Sequence, residues 1–206
     1  MVIFVIGPPY TGKSHFIKHR FGDGAYSVLD VYDYQELIED EVGLPMWERL
    51  FRANERLNAD AAELVRQGKD VIVEQTFLRA LRRIDCVDAI RAASEDVPIE
   101  VYAMTPSDEQ LRHNCAERAK KWGDDAEKYF ESTKRKMTET WEFPNPAEGY
   151  SKIYEVSGDE ITERKDEPDW EIVRRAHEEL ARDRERLARG EEEWRERQAA
   201  RERHDL

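Results

Sequence analysis

The sequence predicts an α/β fold: a three-layer sandwich on a mainly parallel five-stranded sheet, with a small helical lid and a long charged helix near the C-terminal end. Three observations carry that prediction. Short runs rich in β-branched and aromatic residues alternate with longer stretches of helical spacing, the pattern of a parallel sheet covered on both faces. The first run leads straight into GPPYTGKS (7–14), where a glycine, four residues and then Gly-Lys-Ser give the spacing of a loop that wraps phosphate. Beyond residue 160 the composition turns to charge, alanine and arginine, unsuited to a core of its own.

The strands are VIFVI (2–6), YSVLD (26–30), DVIVE (70–74), IEVYAM (99–104) and the weaker KIYEV (152–156), each of a length that suits a strand buried on both faces. HFIKHRF leaves the loop as a helix. In MWERLFRANERLNADAAELVRQG, Met46, Leu50, Leu57, Ala61 and Leu64 recur every three to four residues or at multiples of that spacing, and Gly68 ends the helix. After the fourth strand Thr105 is the expected cap, Pro106 suits the first turn, and Asp108 and Glu109 favour a helix N-terminus. From Pro168 onward Val173, Leu180, Leu187 and Trp194 fall seven apart, but Ala176, Asp183, Gly190 and Arg197 do not make a coiled-coil seam. We expect one solvent-laced helix with a thin apolar line, a strut on the domain rather than a docking arm. The expected division is a domain over 1–160, its lid at about 112–140, and a charged helical extension over 161–206.

The chain has 206 residues, 38% of them charged, and a net charge of −13. An acidic total argues against an indiscriminate nucleic-acid coat but allows a local basic groove. Cys86 and Cys115 have no metal-site spacing, and the five histidines are scattered. No apolar run is long enough to span a membrane, and VIFVI is too short for a signal-peptide core. The expectation is a cytoplasmic protein with no membrane partner; the sequence leaves its oligomeric state open.

Strand, GPPYTGKS and helix together make a triphosphate site: backbone N–H groups and the helix N-terminus face the phosphates. The candidate nucleotide set is Gly7, Thr11, Gly12, Lys13, Ser14, His15, Arg112 and Arg118, with Lys13 on the β- and γ-phosphates and the Ser14 hydroxyl on Mg²⁺. No guanine-reading Asn-Lys-x-Asp is present, and DEVG (40–43) follows a helical stretch rather than a strand, which disfavours a GTPase. VIVEQT carries the single acid Glu74, followed by Gln75 and Thr76, where a motor would carry a pair of acids. A phosphotransferase fits better, and it needs three further parts. Asp30, at the end of the second strand, is the candidate base for an acceptor hydroxyl, with Asp33 the alternative; a helix cap is the plain structural role for Asp30. Glu74 is the candidate acid near Mg²⁺. Arg112 and Arg118, about two turns apart on the helix after the fourth strand, are candidates for a cationic lid, followed by Lys120 and Lys121.

Over residues 1–157 the sequence resembles the P-loop polynucleotide-kinase-like proteins, a group that includes zeta-toxin-like and chloramphenicol-phosphotransferase-like kinases. The resemblance rests on GPPYTGKS, VLDVYDY, VIVEQTF, TPSDEQLRHNCAER and FPNPAEGYSKIYEV. It implies a P-loop kinase-type fold and an ATP- and Mg²⁺-dependent phosphotransferase. Lys13 and Ser14 then match the nucleotide and metal residues, Asp30 the base and Arg118 the lid arginine. One departure stands out. Polynucleotide kinases carry an arginine three residues after the base, where this chain has Asp33.

That departure leaves the acceptor open. Candidate acceptor-side residues are Asp33, Trp47, Arg52, Thr76 and Arg79, with Arg82, Arg83, Arg49 and Arg56 nearby and Phe51 available for stacking. One reading is a kinase for DNA or another nucleic acid, acting on a 5′-OH end or on a hydroxymethylated base such as 5-hydroxymethyluracil; the arginines and KRK (134–136) favour it. A second is a kinase for a nucleoside, sugar or antibiotic, favoured by the acidic total and by Asp33. A third is an ATP-dependent binding module working through its C-terminal helix. Residues 157–160 are expected to border the adenine, by analogy of fold.

Overall fold

The computed structural model describes residues 1–22, 24–39, 45–123 and 125–204. DEVG (40–43) and the side chains of Trp194 and Arg197 lie outside the described residues. The elements run β1 (Val2–Ile6), α1 (Lys13–Phe21), β2 (Ser27–Asp30), α2 (Val31–Glu39), α3 (Met46–Arg66), β3 (Val71–Gln75), α4 (Ala80–Ala93), β4 (Ile99–Met104), α5 (Asp108–Trp122), α6 (Ala126–Glu139), a 3₁₀ turn (Pro146–Glu148), β5 (Lys152–Ser157), β6 (Glu160–Arg164) and α7 (Trp170–His204). One sheet has the order β2-β3-β1-β4-β5-β6.

The first five strands in that order are parallel and β6 runs antiparallel to β5, so the sheet has six strands where five were expected. The sixth escapes a sequence reading because EITER is polar and largely exposed, an edge strand with no buried face. It also places the boundary expected at residue 160 inside the sheet.

Alternate residues of β1 feed two cores. Val2, Phe4 and Ile6 face the layer of α3 and α4, while Ile3 and Val5 pack with Ile17 of α1. Burial on both faces explains why the parallel strands read as unbroken apolar runs. Gly68, at φ 73°, turns the chain out of α3. The cap of α5 is Ser107, whose side chain accepts from the Gln110 N–H. Thr105, the expected cap, instead donates its hydroxyl to Glu155 at 3.0 Å and ties β4 to β5.

FPNPAEGY is a folding device. Asn145 caps the 3₁₀ turn, Glu148 closes the capping box, and Gly149 takes φ 95°. The Glu148 carboxylate then accepts from Arg83 Nε and Nη2, both at 2.7 Å, and from the Tyr150 hydroxyl at 3.1 Å. Arg83 and Glu148 are both fully buried at the side chain, so each charge depends on the other.

α7 lies along α4. Ala176, Leu180, Ile172 and Val173 pack on Ala80, Leu81 and Ile84, and charge pairs flank this seam. Arg79 meets Glu179, Arg82 meets Asp183, and Arg184 meets Asp85. Over its side-chain-described part α7 is therefore the strut that the mixed charge pattern predicts.

Candidate active site

The site grows from the loop between β1 and α1. Gly7 has φ 154°, and a Cβ there would come within 3.0 Å of both Met104 Cβ and Thr11 Oγ1. Gly12, at φ 94°, occupies the N-cap of α1. The Thr11 hydroxyl donates to the Pro8 carbonyl at 2.9 Å. Lys13 Nζ folds back to donate to the carbonyls of Gly7 (3.0 Å) and Pro8 (3.1 Å). Burial pushes the Lys13 ammonium down to about 8, against the pull of Glu74 and Asp30. An ammonium held this way gains strongly from an arriving phosphate.

Strand register brings the carboxylates to it. Asp30 pairs with Glu74 across β2 and β3, and Glu74 pairs with Val5 of β1. Both acids thus stand beside the loop at the carboxyl edge of the sheet, where open α/β sheets bind ligands. Ser14 Oγ donates to Glu74 Oε1 at 2.6 Å. Burial raises the pKa of Asp30 and of Glu74. Asp30 Oδ1 accepts from the Tyr32 N–H at 3.0 Å at the start of α2, so its capping role and its place in the cleft coexist. The cleft itself measures about 720 Å³.

The lid is α5 and α6, joined through Leu111, Cys115 and Phe130. Asn114 Nδ2 donates to the Tyr10 carbonyl at 2.9 Å, and the Tyr10 ring lies 4.8 Å from that of Tyr129, so the lid rests on the phosphate loop. Tyr10 is held at φ 64°. Asn114, Arg118 and Lys121 share one helical stripe and all line the cleft. That i, i+4, i+7 spacing was the available signal for Asn114 and Lys121. The Arg118 guanidinium sits 4.9 Å from the Trp122 ring centroid.

Arg112 is placed elsewhere. Six residues at about 100° each put it about 120° round the helix from Arg118. It pairs with Glu127 at 2.6 Å and lies 3.6 Å over the Phe130 ring, outside the cleft lining.

A second cavity of about 370 Å³ adjoins the cleft, sharing Val31, Tyr32, Gln75 and Thr76. Of the acceptor-side candidates it gathers Trp47, Thr76 and Arg79, together with Arg82. Gln75, on the shared wall, is fixed by Asn54 at 3.1 Å and by the Thr76 N–H at 2.8 Å. Asp33 lies in the first turn of α2 and Arg52 pairs with Glu48 at 2.9 Å; neither lines the two cavities. Phe51 is core, whereas Trp47 is 38% exposed beneath the Arg186 guanidinium at 4.0 Å. Arg83 belongs to the buried Glu148 pair, and Lys134 of KRK to Asp108.

His15 borders the cleft and also a third hollow of about 540 Å³, between the loop helix and α5, that reaches Gly158 and Asp159. The His15 and His19 rings lie 4.1 Å apart on its wall. Among the described residues no group of three or more His, Cys, Asp or Glu forms a metal cluster, and no helix is long and apolar enough to cross a membrane.

Comparison with known proteins agrees with this geometry. A Chloroflexus aurantiacus protein provisionally assigned as a kinase superposes with TM-score 0.57 at 18% identity, over 76% of this chain and 86% of its own. A chain of the PezAT chromosomal toxin–antitoxin system of Streptococcus pneumoniae gives 0.52 at 12%, over 88% and 86%. A sugar kinase from Janibacter gives 0.50 at 13%, over 85% and 91%. At these identities the likeness is one of fold, the P-loop kinase fold. No curated protein matches the chain. The family described as AAA domain matches residues 2–144, well over half of the sequence, and the chain belongs to that family.

Proposed function

We propose that the protein is an ATP-dependent phosphotransferase that moves the γ-phosphate to a hydroxyl of an acceptor seated in the second cavity. The observation that carries this reading is the register pair Asp30 and Glu74 in the cleft with Lys13 and Ser14, each acid one residue before the wall shared with the second cavity, at Val31 and Gln75. Lys13 and the loop N–H groups hold the phosphates. Asp30 orients the acceptor hydroxyl and takes its proton as the new O–P bond forms and the bond from the γ-phosphorus to the bridging oxygen of the leaving ADP breaks. Arg118 and Lys121 supply positive charge over the transferring group. The third hollow, with Gly158 and Asp159 on its rim, suits the adenine.

The donor set fits Mg²⁺. Ser14 Oγ and Glu74 Oε1 are hard oxygen donors already within 2.6 Å of each other, and Mg²⁺ takes few protein ligands beside phosphate and water. Bound there, the ion would neutralise charge on the phosphate oxygens.

At about 370 Å³ the second cavity suits one small alcohol or one nucleoside unit. The test is transfer of label from γ-labelled ATP with Mg²⁺ to a nucleoside and sugar pool, to 5′-OH DNA and RNA, and to hydroxymethylated duplex DNA. Label is expected in an acceptor hydroxyl. Release of inorganic phosphate alone, with every acceptor class present, would count against a kinase.

A further inference from the structure

Resting on that reading of the second cavity as the acceptor site, its charge has a consequence for substrate class. Among the described residues two cations line it, Arg79 and Arg82, the side chains best placed to grip an anionic acceptor. Both face carboxylates of α7, Arg79 through both Nη atoms and Arg82 through Nη2 alone, its Nη1 having no hydrogen-bond partner among the described residues. Arg79 Nη1 and Nη2 donate to the two oxygens of Glu179 at 2.6 and 2.7 Å, a bidentate pair. Arg82 Nη2 donates to Asp183 at 3.3 Å, and Asp183 also faces Arg186 at 3.7 Å. Glu179 and Asp183 are themselves on the cavity wall, so two positive and two negative charges cancel there. The rest of the described lining is uncharged, with Trp47, Leu50, Phe77, Leu78 and Leu81 supplying apolar surface.

We propose that α7 is a specificity element: Glu179 and Asp183 neutralise Arg79 and Arg82, so the site takes an uncharged alcohol with an apolar or aromatic body and turns away acceptors carrying phosphate. A phosphate entering this cavity must displace a carboxylate from a bidentate arginine or lie beside it, and either is unfavourable. An uncharged ring meets Trp47 and the leucines without disturbing the pairs. Polynucleotide acceptors are excluded by the same carboxylates.

The experiment measures binding of a short 5′-OH single-stranded oligonucleotide, labelled at its 3′ end, by fluorescence anisotropy at low ionic strength. It uses the full chain without ATP, so its outcome is separate from that of the label-transfer assay. Wild type is expected to show no saturable binding. Glu179→Gln with Asp183→Asn frees both arginines and is expected to tighten binding at least about tenfold, the scale of one hydrogen bond to a charged group. Adding Arg79→Gln and Arg82→Gln should abolish the gain. The exchange Arg79→Glu with Glu179→Arg keeps the pair and should behave as wild type. Wild-type binding as tight as the double variant, no gain in the double variant, or a gain that survives loss of both arginines would each overturn the proposal. Should the double variant fail to fold, Glu179→Gln alone, an isosteric change at a partly exposed side chain, is read by the same outcomes.

Discussion

In the proposed function Lys13 and Asp30 set the pH behaviour of the site. Lys13 must be protonated to hold phosphate, and burial has brought its ammonium down to about 8. In the free enzyme that charge is lost as pH rises through about 8, so kcat/KM for ATP should fall on the alkaline side from there. Asp30 must be ionised to take a proton, and burial raises its pKa. Activity should therefore fall on the acid side at a pH above the ordinary aspartate value of about 3.9. A kcat/KM profile measures both limbs, since it reports groups of the free enzyme. An alkaline limb that sets in only near the ordinary lysine value would refute the description of Lys13. The meeting of Lys13, Ser14, Asp30 and Glu74 in one cleft was legible because strand ends and glycine spacing are local in sequence. Arg112 misled because spacing along a helix was taken without its angle, and the Glu127 and Phe130 that hold it are on another helix.

At the scale of elements, the turn from β3 to α4 forms part of both cavities, through Gln75 and Thr76. The next residue, Phe77, is held at φ 33°, a strained value for an aromatic side chain. Its carbonyl accepts from Arg83 Nη1 at 2.8 Å, and Arg83 is fixed in turn by Glu148. The buried pair thus anchors the turn that shapes the second cavity. Arg83→Met leaves Glu148 buried without its cation and should cost about 3–5 kcal/mol, as breaking one side of a buried pair does. Urea unfolding checks this; a change below about 1 kcal/mol would show that the pair does not carry the turn. The sequence displayed FPNPAEGY plainly but not its partner, because Arg83 is 65 residues away and reads as one of a surface cluster with Arg79 and Arg82. β6 stayed hidden for the opposite reason: an edge strand is held by backbone pairing and needs no apolar side chain.

For the molecule as a whole, the order β2-β3-β1-β4-β5 brings a phosphate loop, two carboxylates and a lid stripe to one sheet edge, and α7 walls the cavity beyond. The alternation of strands and helices made the layers predictable. The wall could not be foreseen, since it depends on pairings of α7 with α4 about 100 residues apart. We propose phosphoryl transfer in the cleft with Asp30 as base. It is tested most directly by following transfer and ATP binding side by side in wild type, Lys13→Ala and Asp30→Asn. With the acceptor that takes label in the screen, Asp30→Asn should lose transfer by about 10²–10⁴-fold, the usual contribution of a general base. Calorimetry should show its affinity for ATP largely unchanged, whereas Lys13→Ala should lose both. Full transfer by Asp30→Asn would contradict the account.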